Sequence, residues 1–203
     1  FANNTTPPIK AYWYLVGGNP DPDALDPQVP FGNTWVDTVR YGNTQQEITD
    51  LTGARLQSFA WWKTGLMVQQ ERNLREKLVL FWFNHMPTQV FQVFNPRVSY
   101  EYDQLLRNQA LGNFRQLIHD VSTSSAMLLY LNGYLNTVTA PDENYGRELM
   151  ELFTLGEGSG YTESDVQAAA RVLTGWTVRE ADALGDPVLP FITFRASQHD
   201  TTN

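Results

Sequence analysis

The sequence predicts a mainly α-helical globular domain of several helices. An irregular Pro- and Gly-rich arm precedes it, and at most one or two short strands lie near its C-terminus. Apolar residues recur at three- and four-residue spacings from about residue 46 to residue 173, as on the buried face of a helix. Capping residues and glycines bracket these stretches. We therefore divide the chain into an arm, residues 1–45, and a helical domain, residues 46–203.

The arm is rich in Pro, Gly, Asn and Asp, which oppose regular helices. Two hydrophobic pairs interrupt this polarity, Trp13 with Tyr14 and Trp35 with Val36. Because large aromatic side chains favour burial, we expect the arm to wrap around the helical body and to be anchored by them. A disordered leader is the alternative.

Six or seven helices are predicted from periodicity and end signals. The first begins near Gln46. Asn73, with Glu76 three residues later, has the spacing of a capping box for the second helix, and Pro87 should end that helix. Further helices are predicted over residues 99–111 with Ser99 as cap, 114–121 with Asn113 as cap, 125–131, 143–155 and 163–173.

One strand is predicted, over residues 188–195, where Phe191, Thr193 and Arg195 alternate with Ile192 and Phe194. No internal repeat is present. The Gly-rich run at 156–160 has neither the preceding strand nor the following Lys of a phosphate-binding loop, so we expect no nucleotide site there.

Charge and composition narrow the functional classes. The chain carries a net charge of −8 and has a pI of about 4.8, so we do not expect nucleic acid or anionic lipid as a partner. It contains no Cys, which excludes disulfides, thiolate nucleophiles and Cys-ligated metal sites within it. Its apolar runs are too short to span a bilayer, and we expect no transmembrane segment.

Five stretches together carry a family resemblance: REKLVLFWFNH (75–85), ALGNFR (110–115), PDENYGRELMELFTLG (141–156), YTESDV (161–166) and AAARVLTGW (168–176). They resemble the bacterial family called domain of unknown function 1800, and the similarity covers roughly residues 45–203. The chain looks like a member from the Bacteroidota, where such proteins are usually exported.

The resemblance implies kinship and no particular chemistry, because the family's function is not established. Members are typically much longer than 203 residues. The chain is therefore expected to be the N-terminal part of such a protein, with the remainder of the polypeptide missing. A periplasmic, cell-surface or secreted location is expected on the same ground.

His85 is the first candidate site residue. Where the family usually reads Trp-His-Asn-His, this chain has Trp82-Phe83-Asn84-His85. Residues two apart on a regular helix face opposite ways, so two such imidazoles would not chelate one ion. His85 is either a metal ligand or a structural His hydrogen-bonded at a helix end, where the dipole favours imidazolium.

The helix predicted over residues 143–155 carries a second candidate set. Glu143, Arg147 and Glu151 are spaced four apart and predict an ion ladder on the helix surface. Glu148 lies beside the apolar stripe and is expected to be partly buried, so it needs an Arg, a His or a metal as partner. Pairing with an Arg is favoured, and Glu148 and Arg147 are kept as catalytic candidates.

His199 and Asp200, after the predicted strand, form the third candidate set. Both residue types bind transition metals, although a loop pair without a role would look the same. If His85, Glu148 and His199 converged, they would form a two-His-one-carboxylate site for zinc, iron or manganese that could activate water.

Two hypotheses about function follow. The first is an exported or cell-surface module, structural or interacting, that binds a protein partner at the cell envelope. The second is a metal-dependent hydrolase that uses a divalent transition metal held by His85, Glu148 and His199, with Asp200 as a further ligand. Phe83 in place of an imidazole favours the first hypothesis.

Overall fold

The computed structural model describes residues 6–10, 25–70 and 72–202, and within them the chain is mainly helical, as predicted. The eight α-helices of this part are α1 (Gln45–Gln69), α2 (Arg75–His85), α3 (Val90–Val93), α4 (Pro96–Gln109), α5 (Phe114–Ser122), α6 (Ser125–Tyr130), α7 (Glu143–Glu148) and α8 (Glu163–Val172). Two strands, β1 (Trp176–Ala181) and β2 (Pro187–Phe194), form one antiparallel hairpin. None of the described helices is both long and apolar enough to cross a bilayer.

Three helix starts agree closely with their local sequence signals. α1 begins after Thr44, whose hydroxyl accepts a hydrogen bond from the Glu47 amide. α5 begins after Asn113, as predicted, and the Asn113 side chain accepts from the Gln116 amide. Thr162 and Asp165 form the capping box of α8. Each cap satisfies amides that the helix leaves without an internal partner.

Other helix starts differ from the prediction. α4 starts at Pro96 and not near Ser99, because the Asn95 side chain accepts hydrogen bonds from the Arg97 and Val98 amides. Pro96 suits the first helical position, since an N–H there would have no partner inside the helix. Asn73 accepts from the Arg75 amide but lies one residue before the N-cap of α2, which is Leu74. α3 was not predicted.

The helix predicted over residues 143–155 is not one regular α-helix. α7 ends at Glu148, and a π-helix, Leu149–Thr154, continues from it. The π-turns place hydrogen bonds five residues apart, as in the bond from the Leu155 amide to the Met150 carbonyl. π-Helices are rare. The wider turn rotates the side chains that follow it about the helix axis, relative to their positions in a regular α-helix.

The C-terminal hairpin confirms the predicted strand and adds a partner that was not predicted. β1 pairs with β2 in a register that places Trp176 opposite Phe194 and Val178 opposite Ile192. The pairing is irregular between Arg179 and Ala181. The residue in between, Glu180, accepts hydrogen bonds from Arg40 and Asn95, which ties the hairpin to the residues before α1 and α4.

The main core lies around α4 and α6, with Val98, Leu106, Met127, Leu128 and Tyr145 among its buried residues. A second cluster joins the arm to α1 through Trp35, Val36, Ala54 and Phe59. The burial of Trp35 and Val36 is as expected, and the Trp35 indole donates to the Ser58 hydroxyl.

Buried charge also fastens the arm. The Arg55 guanidinium binds both carboxylate oxygens of Asp26 at 2.9 Å, and the Lys10 ammonium donates to the Asp26 and Val29 carbonyls. The expectation for Trp13 and Tyr14 lies outside the described residues. The division of the chain at residue 45 stays a prediction.

Candidate functional site

A large, mainly apolar groove lies between α1, α2 and α3, with a volume of about 760 Å³. Ligand sites usually occupy about 300–1,000 Å³. α1 supplies one face of its helix, and α2, α3 and α4 close the other sides. The lining residues are Gly53, Leu56, Gln57, Phe59, Ala60, Lys63, Met67, Leu80, Phe83, Val90, Phe91 and Asp103.

The floor of this groove is buried and its rim is exposed. Leu56 and Phe59 of α1 lie at 3% and 6% exposure. Phe91 on α3 is 75% exposed and Leu80 on α2 is 40% exposed. Large apolar side chains are thus presented on both sides of an already hydrophobic channel, an arrangement typical of interaction sites.

α3 orients the Phe91 ring outward. Two residues further on, Val93 is buried in the main core, and residues two apart on a helix point to nearly opposite sides. The Gln92 side chain donates to the Tyr130 carbonyl at 2.7 Å, which attaches α3 to α6. The exposure of Phe91 therefore follows from how α3 is anchored.

The charged side chains in and beneath the groove floor are paired with opposite charges. The Lys63 ammonium pairs with Asp103, and Asp103 also accepts from Arg107 at 3.2 Å. Arg107 in turn binds Glu76 of α2. Two cations and two carboxylates form this cluster, so it contributes no net charge to the groove.

His85, at the end of α2, is attached to the π-helix. Its Nε2 lies 2.9 Å from the Phe153 carbonyl oxygen. A carbonyl only accepts, so Nε2 carries the proton and only Nδ1 remains to accept a hydrogen bond or bind a metal. The ring also packs among Phe81, Trp82 and Phe114, at centroid distances of 6.4, 6.0 and 6.4 Å.

Arg147 forms the predicted ion ladder and one contact that the sequence did not reveal. It lies 3.5 Å from Glu143 and 3.7 Å from Glu151, and both of its terminal nitrogens also reach Glu163 of α8. The hydrogen bond to Glu163 raises the pKa of Arg147 and lowers that of Glu163. Glu148 is half-buried beside this ladder.

His199 and Asp200 are organised around Thr174. The His199 Nδ1 lies 3.0 Å from the Thr174 carbonyl oxygen and therefore donates to it, so Nε2 is the ring nitrogen that can accept a hydrogen bond or bind a metal. The Thr174 hydroxyl accepts from the Asp200 amide at 2.8 Å. The Asp200 carboxylate accepts from the Thr202 hydroxyl and amide, and these bonds lower its pKa.

Each candidate set has its own hydrogen-bond neighbour. His85 contacts Phe153, Arg147 contacts Glu163, and His199 contacts Thr174. Within the described ranges, no group of three or more His, Asp or Glu side chains is arranged to hold a metal ion. The metal site formed by His85, Glu148, His199 and Asp200, and the catalytic roles of Glu148 and Arg147, therefore stay predictions.

A comparison with family models decides the kinship of the chain. Residues 9–203 match the model described as "Protein of unknown function (DUF1800)". The chain belongs to the DUF1800 family. No curated protein and no solved structure shows significant similarity to it.

In this DUF1800 chain, Phe83 takes part in the groove. Phe83 is the position at which the resemblance places a first imidazole, and here it lines the channel and packs edge-on against Tyr102 at 6.2 Å. The departure from the family pattern thus exchanges a polar ring for an apolar one in the wall of the groove.

Sequence reasoning about this DUF1800 chain missed the groove, although one signal pointed to it. Residues 78–83 are all apolar, so the central part of α2 carries apolar side chains around its whole circumference. A helix of this kind is normally buried on every side. The prediction used only the face that includes Leu78 and Trp82, and it assigned no partner to the face of Leu80 and Phe83.

Proposed function

We propose that this DUF1800 chain is a non-catalytic interaction module of the cell envelope, and that its groove binds an apolar helical segment of a partner protein. The observation that carries the proposal is the groove between α1, α2 and α3, with Phe91 exposed at its rim. Covering an apolar channel of this size removes its surface from water, which lowers the free energy and favours the binding of a partner.

The exposure of α2 supports the same conclusion. Leu80 is 40% exposed on one side of the helix and Phe81 is 57% exposed on the neighbouring side. Since a helix that is apolar all round is normally enclosed, a bound segment would complete the burial of its groove-facing side.

The lining favours a helix over an extended strand as the occupant. Gln57, Lys63 and Asp103 are the polar residues among those that line the groove, and the last two are paired with each other. An extended segment needs partners for its backbone amides and carbonyls, whereas a helix satisfies its own. Amphipathic helices bind such grooves through apolar residues at i, i+3, i+4 and i+7.

The envelope location is supported by the resemblance to exported members of the family. Fractionation of cells that express the full-length protein tests this part of the proposal. We expect recovery in the periplasmic, outer-membrane or secreted fraction, and recovery in the cytoplasm would refute it.

A peptide titration tests the binding function. The probe is a synthetic amphipathic helix with Leu and Phe at i, i+3, i+4 and i+7, and its control is a peptide of the same composition in scrambled order. We expect saturable binding of the amphipathic peptide alone, measured by fluorescence anisotropy. Phe91→Ser should weaken it about tenfold, a loss of about 1.4 kcal/mol, because truncating an anchor at an interface has effects of this size.

Leu184→Ser is the matched control variant. Leu184 is 87% exposed in the turn between β1 and β2 and is not among the residues that line the groove. This change removes the same kind of exposed side chain and should leave peptide affinity unchanged. Equal affinity for the ordered and scrambled peptides would show that the groove is not a helix-binding site.

A further inference from the structure

The second half of α1 is only partly covered by the rest of the protein. All the buried side chains of this helix lie in residues 51–59, whereas the structure describes every one of residues 60–69 and none of these is fully buried. Trp61 is 56% exposed and Val68 is 78% exposed. With Thr64 between them, at a spacing of three and four residues, they lie on one side of the helix. We call these three residues the exposed α1 face.

This part of α1 carries almost no charge. Lys63 is the one charged residue among residues 57–70, although charged residues make up 18% of the chain. The Lys63 ammonium is paired with Asp103. Helix faces that stay in water are normally polar or charged, so the exposed α1 face has the composition of a surface that another molecule covers.

The exposed α1 face borders the groove. Trp61 follows Ala60 and lies four residues after Gln57, and both of these line the groove. Val68 follows Met67, which lines it too. The protein therefore presents an apolar helix face and an apolar groove side by side. A two-fold interface needs this arrangement, because one surface must supply both halves of the contact.

The charge of the protein favours self-association through this surface over any contact between its acidic regions. Two copies that each carry a net charge of −8 repel one another, whereas residues 57–70 bring only the paired Lys63 to a contact. Each copy supplies one helix and one groove, so a dimer contains two helix-in-groove contacts. Two contacts bury twice the area of one, which moves the total towards the roughly 1,200–2,000 Å² of specific interfaces.

We infer that the partner of the groove is a second copy of this chain. The exposed α1 face of each copy packs into the groove of the other about a two-fold axis, with Trp61 of one copy against Phe91 of the other. Trp61 and Val68 then serve as anchors at i and i+7 of the bound helix. This inference rests on the proposed function and names the helical segment that the groove binds.

Sedimentation equilibrium of the full-length protein tests the inference. We expect a reversible monomer–dimer equilibrium with a Kd in the micromolar range. Trp61→Ser should weaken dimerisation at least about a hundredfold, because the dimer loses one anchor in each of two contacts and each loss costs about tenfold. Trp61 is exposed, so the variant should fold. Leu184→Ser is the matched control and should leave the Kd unchanged.

Mixing two variants tests whether Trp61 and Phe91 meet. In a dimer of one Trp61→Ser chain and one Phe91→Ser chain, one contact is intact and the other lacks both side chains. A contact that has already lost one of two touching side chains loses little more when the second is removed. The mixed dimer should therefore be tighter than the dimer of either variant alone, and no gain on mixing would refute this contact.

The amphipathic peptide separates the inference from the proposed function. It should bind the Trp61→Ser variant, whose groove is intact, and at saturation it should convert the unaltered dimer to monomers. If the protein stays monomeric up to millimolar concentration, or if Trp61→Ser leaves a dimer intact, the second copy is not the partner of the groove. Failure of the Trp61→Ser variant to bind the peptide would overturn the proposed function itself.

Discussion

At the scale of single residues, Gln57 has an unfavourable environment in the groove wall. Its side-chain oxygen is buried and has no hydrogen-bond partner among the described residues. Such a group loses its bonds to water and gains nothing in return, which costs about 1–3 kcal/mol. A polar residue in this state is tolerated where a site needs it or where binding supplies the missing partner.

Replacing Gln57 with Met should therefore stabilise the free protein by about 1 kcal/mol, because an apolar side chain of similar shape removes the unpaired acceptor. Denaturant unfolding measures this change. Gln92→Met is the matched control, since Gln92 donates to the Tyr130 carbonyl, and its replacement should lower stability by about 1 kcal/mol. Destabilisation by Gln57→Met would mean that its oxygen is bonded in solution.

At the scale of secondary-structure elements, two glycines within helices have opposite surroundings. Gly65 in α1 has open space where a Cβ would lie, with no atom within 4 Å. Gly146 in α7 faces the backbone of α8, and a Cβ there would lie 3.1 Å from the Ala170 nitrogen and 3.2 Å from the Val166 oxygen. The close approach of α7 and α8 thus depends on a missing side chain.

Alanine substitutions at these two positions should have opposite effects. Gly65→Ala should raise stability by up to about 1 kcal/mol, because Ala has the higher helix propensity. Gly146→Ala should lower it by about 1–3 kcal/mol, because the added methyl group pushes α8 away. Thermal unfolding followed by circular dichroism measures both, and unchanged or higher stability of Gly146→Ala would show that α7 and α8 can separate without cost.

At the scale of the whole molecule, one buried ion cluster joins three helices beneath the groove. Lys63 belongs to α1, Glu76 to α2, and Asp103 and Arg107 to α4. Arg107 and Asp103 are almost fully enclosed. Charges in such a place are tolerated only when they are paired, so the cluster fixes how the helices that form the groove are arranged.

Removing one partner of the Glu76–Arg107 pair should lower the free energy of unfolding more than removing both partners. Glu76→Gln leaves two buried cations against one carboxylate and should destabilise the protein by about 3–5 kcal/mol. Adding Arg107→Met restores the balance, with Lys63 and Asp103 still paired, and should recover part of the loss. Chemical denaturation of both single variants and of the double variant gives the coupling energy, and additive losses would contradict a coupled cluster.

The sequence by itself determined the family, the mainly helical class and the ends of several helices. Asn113 and the pair Thr162 and Asp165 could be recognised because a cap is a contact between residues two or three apart in the chain. The start of α4 at Pro96 was misplaced because Asn95 and Ser99 both carry capping side chains. β1 was missed because Thr177 to Ala181 gains its pairing only from β2.

Tertiary structure alone decided which side chains meet. The sequence identified His85, Arg147 and His199 as candidates, but only the fold shows that each contacts a different neighbour, Phe153, Glu163 or Thr174. The groove likewise depends on residues far apart in the chain, since Gly53 and Phe91 share one surface. Periodicity reports which face of a helix is apolar, whereas the packing of the other helices decides which part of that face stays exposed to water.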